Sequence, residues 1–154
     1  MDQLTLIATV VTAIGSGIVG GMMFAFSVSV MTALGRQPAP QGIATMQAIN
    51  VVIVNPVFLL LLLGTLVASV VLAVGAVVTG EPWLLVGALL YAVGMVGVTS
   101  VVNVPLNNAL DRVDPDSAEG AQLWARYLAR WTTWNHIRSV ACFAAATVLT
   151  LTLL

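Results

Sequence analysis

Apolar residues run along this chain in four blocks, about 4–31, 56–79, 83–104 and 134–154, separated by short stretches that hold most of the charge. Each block is near the roughly 20 residues that a helix needs to cross a bilayer. The pattern predicts an all-α fold, a polytopic membrane four-helix bundle in one domain, 1–154. Helical extensions are expected at one end. Gly42 to Val54 reads as a helix that runs into Asn55-Pro56, where proline removes a backbone donor and disfavours a helical conformation at Asn55. If the chain breaks there, Asn55 becomes a cap and Pro56 the first helical residue. Glu119 to Trp134 reads as a second extension, continuous with the last span and started by Asp116 or Ser117 with Glu119 in the first turn.

Composition explains why so few residues compete for chemistry. The 154 residues are 60% hydrophobic and 7% charged, with a mean hydropathy of +1.05, far outside the range of soluble globular domains. A net charge of -1 with five scattered arginines gives no basic field, which sets nucleic acid aside as a partner. The single cysteine, Cys142, excludes an intrachain disulfide and a cysteine-based zinc site. The first block is too long for a cleaved signal and follows Asp2 rather than a basic segment, so it is expected to be a retained helix. Arg36 lies in the first connection, and Arg112, Arg126 and Arg130 lie in the third, whereas the second carries only Glu81. Positive-inside places both arginine-bearing connections in the cytoplasm of a cell with this chain in its plasma membrane, and both termini outside.

Small residues suggest how the spans touch. Gly17 and Gly21 form a GxxxG pair, Ser16 and Gly20 a second small pair, and Gly87, Gly94 and Gly97 recur in the third span. Close packing within the bundle is the expectation, with a seam between copies in a homo-oligomer as the alternative.

The polar residues fall into a pattern. At about 100° per residue, Trp124, Tyr127, Trp131, Asn135, Arg138 and Cys142 share one stripe of the last helix. On the third, Asn103 and Asn107 share a face, with Pro105 between them and Asp111 just beyond, and Met46, Asn50 and Asn55 lie at a similar depth. All should meet at the cytoplasmic end. An arginine at the centre of a membrane helix costs roughly 2.5 to 3.5 kcal/mol on insertion scales, so Arg138 must snorkel, pair or line a cavity. Trp83, Trp124 and Tyr91 are expected in interfacial belts, and Arg126 and Arg130 in solvent. His136, the only histidine of the chain, falls off the polar stripe. It is a candidate base, although headgroup or carbonyl partnership is the usual role of a lone interfacial histidine. One histidine cannot supply a bis-histidine haem, and the apolar spans carry no carboxylate for a di-iron or zinc site. Met22, Met23, Met31, Met46 and Met95 suit core filling better than Cu(I), so no metal is expected.

Four strings together carry a resemblance. Gly21-Met-Met-Phe-Ala-Phe-Ser27 with Met31, Met46-Gln-Ala-Ile-Asn50 with Asn55-Pro56, Asn103-Val-Pro-Leu-Asn107, and Trp131-Thr-Thr-Trp-Asn135-His-Ile-Arg138 occur in an order that resembles the anthrone oxygenase-like family of small membrane proteins. The resemblance implies oxidation of an anthrone-type polycyclic phenol to a quinone by dioxygen, without a metal or flavin cofactor. It gives Arg138, Asn135 and His136 catalytic roles: Arg138 stabilises an oxyanion, and His136 or a phenolate of the substrate is the base. Asn135, Asn103, Asn107 and Asn50 then hold phenolic oxygens, while Trp131 and Phe26 stack the rings.

Two further classes use the same residues. An accessory or structural bundle would bind membrane lipid, quinone or a partner subunit at its polar mouth, and a carrier would hold a small hydrophobic aromatic ligand without chemistry. Shape separates them. An enzyme or carrier needs a pocket of a few hundred Å3 at Arg138, whereas a scaffold would engage that arginine with a neighbouring carbonyl or a carboxylate such as Asp111.

Overall fold

The computed structural model describes residues 1–154 and contains five helices and no strand. Helix α1 spans Gln3–Gly35, α2 Ala39–Ile53, α3 Pro56–Thr79, α4 Pro82–Leu110 and α5 Ala118–Leu151. Three of them, α1, α3 and α4, are long and apolar enough to cross a membrane. All but the last three residues of the block at 134–154 lie in α5, which falls short of that measure because it carries Trp134, Asn135, His136 and Arg138 within the same stretch.

Local chemistry sets the boundaries. Asp2 caps α1 by accepting from the Thr5 amide at 2.9 Å and the Thr5 hydroxyl at 2.8 Å, and these two bonds hold its carboxyl below the usual carboxylate range. The chain breaks after Ile53 as Pro56 requires. Asn55 Oδ1 accepts from the amides of Val57 at 3.1 Å and Phe58 at 3.0 Å, with Pro56 opening α3. Gly80, at φ 73°, closes α3 in the left-handed conformation that glycine adopts without steric cost. Of the two candidate caps for α5, Ser117 is the one used, its hydroxyl accepting from the Gly120 amide at 2.9 Å.

The four long helices pack as a ring, α1 and α4 each touching both α3 and α5, while α2 lies across one end against α5 and the last turns of α4. Gln47 pins it there by donating to the carbonyls of Leu110 at 2.9 Å and Val113 at 3.1 Å, which satisfies acceptors left over at a helix end. Under α2 the core is bulky, built from Met31, Ile43, Met46, Leu110, Trp124 and Trp131. At the far end it is built from alanines and leucines, joined by buried Thr5, Thr9, Thr12 and Ser16 of α1. Thr9 returns its hydroxyl to the Thr5 carbonyl at 2.7 Å, the habit of a hydroxyl at a tight helix interface.

Two expectations need correction. Tyr91 and Trp124 are buried rather than interfacial: Tyr91 donates to the Leu62 carbonyl at 3.0 Å, and Trp124 stacks on Tyr127 at 5.5 Å. Trp83 alone of the three is exposed. The GxxxG pair does not pack within the chain either, since a Cβ at Gly17 or Gly21 would meet nothing within 4 Å. The face of α1 turned to α5 lies one residue back. There Ser16 is buried, and a Cβ on Gly20 would stand 2.9 Å from Cys142 Cβ.

That difference predicts opposite outcomes for similar substitutions. Gly20→Val should destabilise the protein by about 1 to 3 kcal/mol, because the obstructing atom sits next to the α5 backbone and has little room to move. Gly17→Ala should be neutral or stabilising by up to about 1 kcal/mol, the helix-propensity difference at an open site. Denaturant melts in mixed micelles compare the two directly.

Candidate functional site

Three stretches of wide, π-helical turns bracket the polar end: Phe26–Val30 in α1, and Ala92–Gly97 and Thr99–Asn103 in α4. Such turns rotate the following residues and loosen the backbone bonding, and they recur at functional sites. Around them, Met23 and Ser27 of α1 meet Asn135 of α5, and Thr99 of α4 meets Arg138.

The stripe expected on α5 is buried along its whole length, from Trp124 through Tyr127, Trp131, Asn135 and Arg138 to Cys142. Arg138 is 4% exposed. Its terminal nitrogens donate to Thr99 Oγ1 at 3.0 Å and to Asn135 Oδ1, both neutral acceptors, and its Nε has no partner. Two of the five guanidinium N–H groups are thereby engaged. The guanidinium carbon lies 5.2 Å from the centre of the Trp131 ring, a cation–π distance. Asp111, the carboxylate a scaffold would have used, accepts instead from Asn50 Nδ2 at 3.1 Å.

Asn135 is fully committed. Its Nδ2 donates to the Met23 carbonyl at 2.6 Å and to Ser27 Oγ at 2.7 Å, which leaves Oδ1 for Arg138. It therefore ties α1 to α5 and aims the guanidinium. Thr99 is oriented in the same way, donating to the Met95 carbonyl at 2.7 Å while it accepts from Arg138.

Asn107 forms the second polar corner. Its Oδ1 accepts from Trp131 Nε1 at 2.8 Å and from the Tyr127 hydroxyl at 2.9 Å. Indole nitrogen only donates, so the amide oxygen must face it and the Nδ2 points elsewhere without a protein partner. Burial above all, and then the charge of Asp111, pushes the Tyr127 phenol well above its ordinary value, with Arg138 opposing. Tyr127 therefore keeps its proton and remains a donor.

These corners flank a cavity of about 220 Å3, walled by Met23, Phe26, Met46, Phe58, Leu62 and Trp131, with Arg138, Thr99, Asn107 and Asn50 as its polar lining. Phe26 and Trp131 stand 6.1 Å apart at 48°, an aromatic corner. Val54, Leu59 and Val104 are the lining residues most open to the surroundings, so the mouth is apolar and lies beside the break between α2 and α3.

Of the residues singled out in the sequence, Arg138, Trp131, Asn107, Asn50 and Phe26 line this cavity. Asn135 and Asn103 do not: Asn135 stands behind Arg138, and Asn103 sits behind Trp131, donating to its carbonyl at 3.4 Å with its own Oδ1 unpartnered. His136 is exposed and lines nothing here, because two residues of helix carry it to the face opposite Arg138. Thr99 was missed. It precedes Asn103 by four residues, so extending the Asn103–Asn107 spacing back one turn would have found it.

Comparison with curated proteins and with solved structures returns no match. A family model described as anthrone oxygenase matches residues 48–148, a span that holds Asn50, Thr99, Asn107, Trp131, Asn135 and Arg138 but leaves out the α1 wall. Covering well over half of the sequence, the match establishes that the chain belongs to the anthrone oxygenase family.

Proposed function

We propose that this chain is a membrane-embedded oxygenase that binds an anthrone-like polycyclic phenol or quinol in the cavity between Trp131 and Phe26 and oxidises it with dioxygen. One observation carries the reading: a buried arginine, bonded only to neutral groups, lines an aromatic-walled cavity. A lone buried cation is costly, and an anionic oxygen of a ligand is the partner that would offset it.

The chemistry asks little of the protein beyond binding. Once the benzylic carbon of an anthrone has lost one proton, the electron-rich carbanion transfers electrons to dioxygen and a C–O bond forms. The peroxide takes up a proton. Loss of the remaining benzylic proton with O–O cleavage then gives the carbonyl and one molecule of water, so that CH2 and O2 become C=O and H2O. Arg138 holds the oxyanion, Asn107 Nδ2 meets a second oxygen, and Trp131 with Phe26 fixes the ring plane. The apolar mouth suits a substrate dissolved in membrane lipid. The end of the bundle bearing Arg36, Arg112, Arg126 and Arg130 is assigned to the cytoplasmic side of the plasma membrane, with both termini outside.

Thermal stabilisation of the detergent-purified protein tests the reading against polycyclic phenols, menaquinone analogues and anionic lipids. A phenol or quinol should raise Tm in proportion to the logarithm of its concentration, and oxygen uptake should follow with the same compounds. A response to anionic lipids alone would assign the arginine to headgroup binding and the chain to an accessory role.

A further inference from the structure

The cavity offers no group that could take a proton. Arg138 is the only ionisable residue in its lining. From α1 come Met23 and Phe26, and from α3 come Phe58, Leu59 and Leu62, none of them titratable. From α2 the polar contribution is Asn50, whose Nδ2 is spent on the exposed Asp111 beyond it. An amide oxygen accepts a hydrogen bond but is no base. From α4 come Thr99, whose hydroxyl is already oriented by Met95 and Arg138, and Asn107, whose oxygen is taken twice. On α5, Tyr127 donates to Asn107, Cys142 is buried a turn beyond Arg138 and does not line the cavity, and His136 faces outward.

What the polar side does offer is donors. Three guanidinium N–H groups and the Asn107 Nδ2 have no protein acceptor. A neutral phenol can turn its own O–H to Asn50 Oδ1 but leaves the guanidinium charge uncompensated, whereas a phenolate or enolate satisfies the donors and neutralises the buried charge.

Resting on the reading of Arg138 as a ligand partner, we propose that the cavity selects its ligand as a preformed oxyanion. The O–H or acidic C–H proton is lost to water before or during entry, and no side chain of this chain acts as base. Selectivity then follows acidity: among ligands of one shape, the more readily ionised is favoured at neutral pH.

The test uses full-length protein in detergent and three probes that share a ring system and differ in acidity: 1-naphthol, 4-chloro-1-naphthol and 2,4-dinitro-1-naphthol, with 1-methoxynaphthalene as the ether that cannot ionise. Binding is titrated from about pH 5 to about pH 10. For 1-naphthol and its 4-chloro derivative the affinity should rise about tenfold per pH unit below the probe's own pKa and level off above it, whereas 2,4-dinitro-1-naphthol, already ionised at about pH 5, should bind equally across the range. In Arg138→Met the slope should flatten. A break at one pH shared by all probes would reveal a titrating protein group and overturn the proposal. So would equal binding of the ether, although that result would leave the aromatic cavity itself intact. Failure of every probe to bind at any pH would instead overturn the ligand-binding reading on which the proposal rests.

Discussion

Arg138→Met should weaken binding of an acidic polycyclic phenol by about tenfold to a hundredfold and leave a folded protein. A hydrogen bond to a charged group contributes roughly 1.5 to 3 kcal/mol, and each 1.4 kcal/mol is about a factor of ten in affinity. Stability moves much less, because the substitution removes opposing quantities. Relief of a lone cation in an apolar helix returns roughly 2.5 to 3.5 kcal/mol. Against it stand the stacking on Trp131, roughly 0.5 to 2 kcal/mol, and the Asn135 Oδ1 left without a donor, roughly 1 to 3 kcal/mol. The sum lies near zero, so Tm should shift by only a few degrees. Arg138→Lys is the companion variant: it keeps the charge but loses the fork that reaches Thr99 and Asn135 together, and should bind between wild type and methionine. Retained binding in Arg138→Met alongside a large loss of Tm would make the arginine a structural strut.

Much of this arrangement is written in local sequence. Asn55-Pro56 stops one helix and caps the next by chemistry that needs no tertiary context, and Ser117 starts α5 in the same way. The buried stripe from Trp124 to Cys142 follows from helical spacing alone, as does the outward position of His136. What escapes is anything that depends on which helix lies opposite. GxxxG marks Gly17 and Gly21, yet α5 packs against Ser16 and Gly20, since the motif records small size and not the direction of the neighbour. Trp124 and Tyr91 suit an interfacial belt by type, but α2 closes over one, and the Leu62 carbonyl receives the other. The wide turns in α4 shift its register by part of a turn ahead of Asn103, and beyond them Asn107 lines the cavity while Asn103 is held behind Trp131. Nothing in the order of residues announces those turns.

Asn135→Leu should have the largest effect on stability, a loss of about 2 to 4 kcal/mol, although Asn135 does not line the cavity. The amide serves three partners in two helices: it donates to the Met23 carbonyl and to Ser27 Oγ, and it accepts from Arg138. Met23 also receives the amide of Phe26, so its carbonyl is not stranded by the change. The guanidinium keeps only Thr99 as an acceptor, because leucine offers none, and a buried charged donor left unmade costs more than a neutral one. About half of the loss should therefore be coupled to Arg138 and vanish with it. In a double-mutant cycle measured by unfolding in mixed micelles, Asn135→Leu should cost about 1 to 2 kcal/mol less in the Arg138→Met background than in wild type. Additive costs would mean that Asn135 acts only as a clamp between α1 and α5. Coupling of the expected sign would instead identify it as the group that holds a costly cation in place, through the acceptor it offers Arg138.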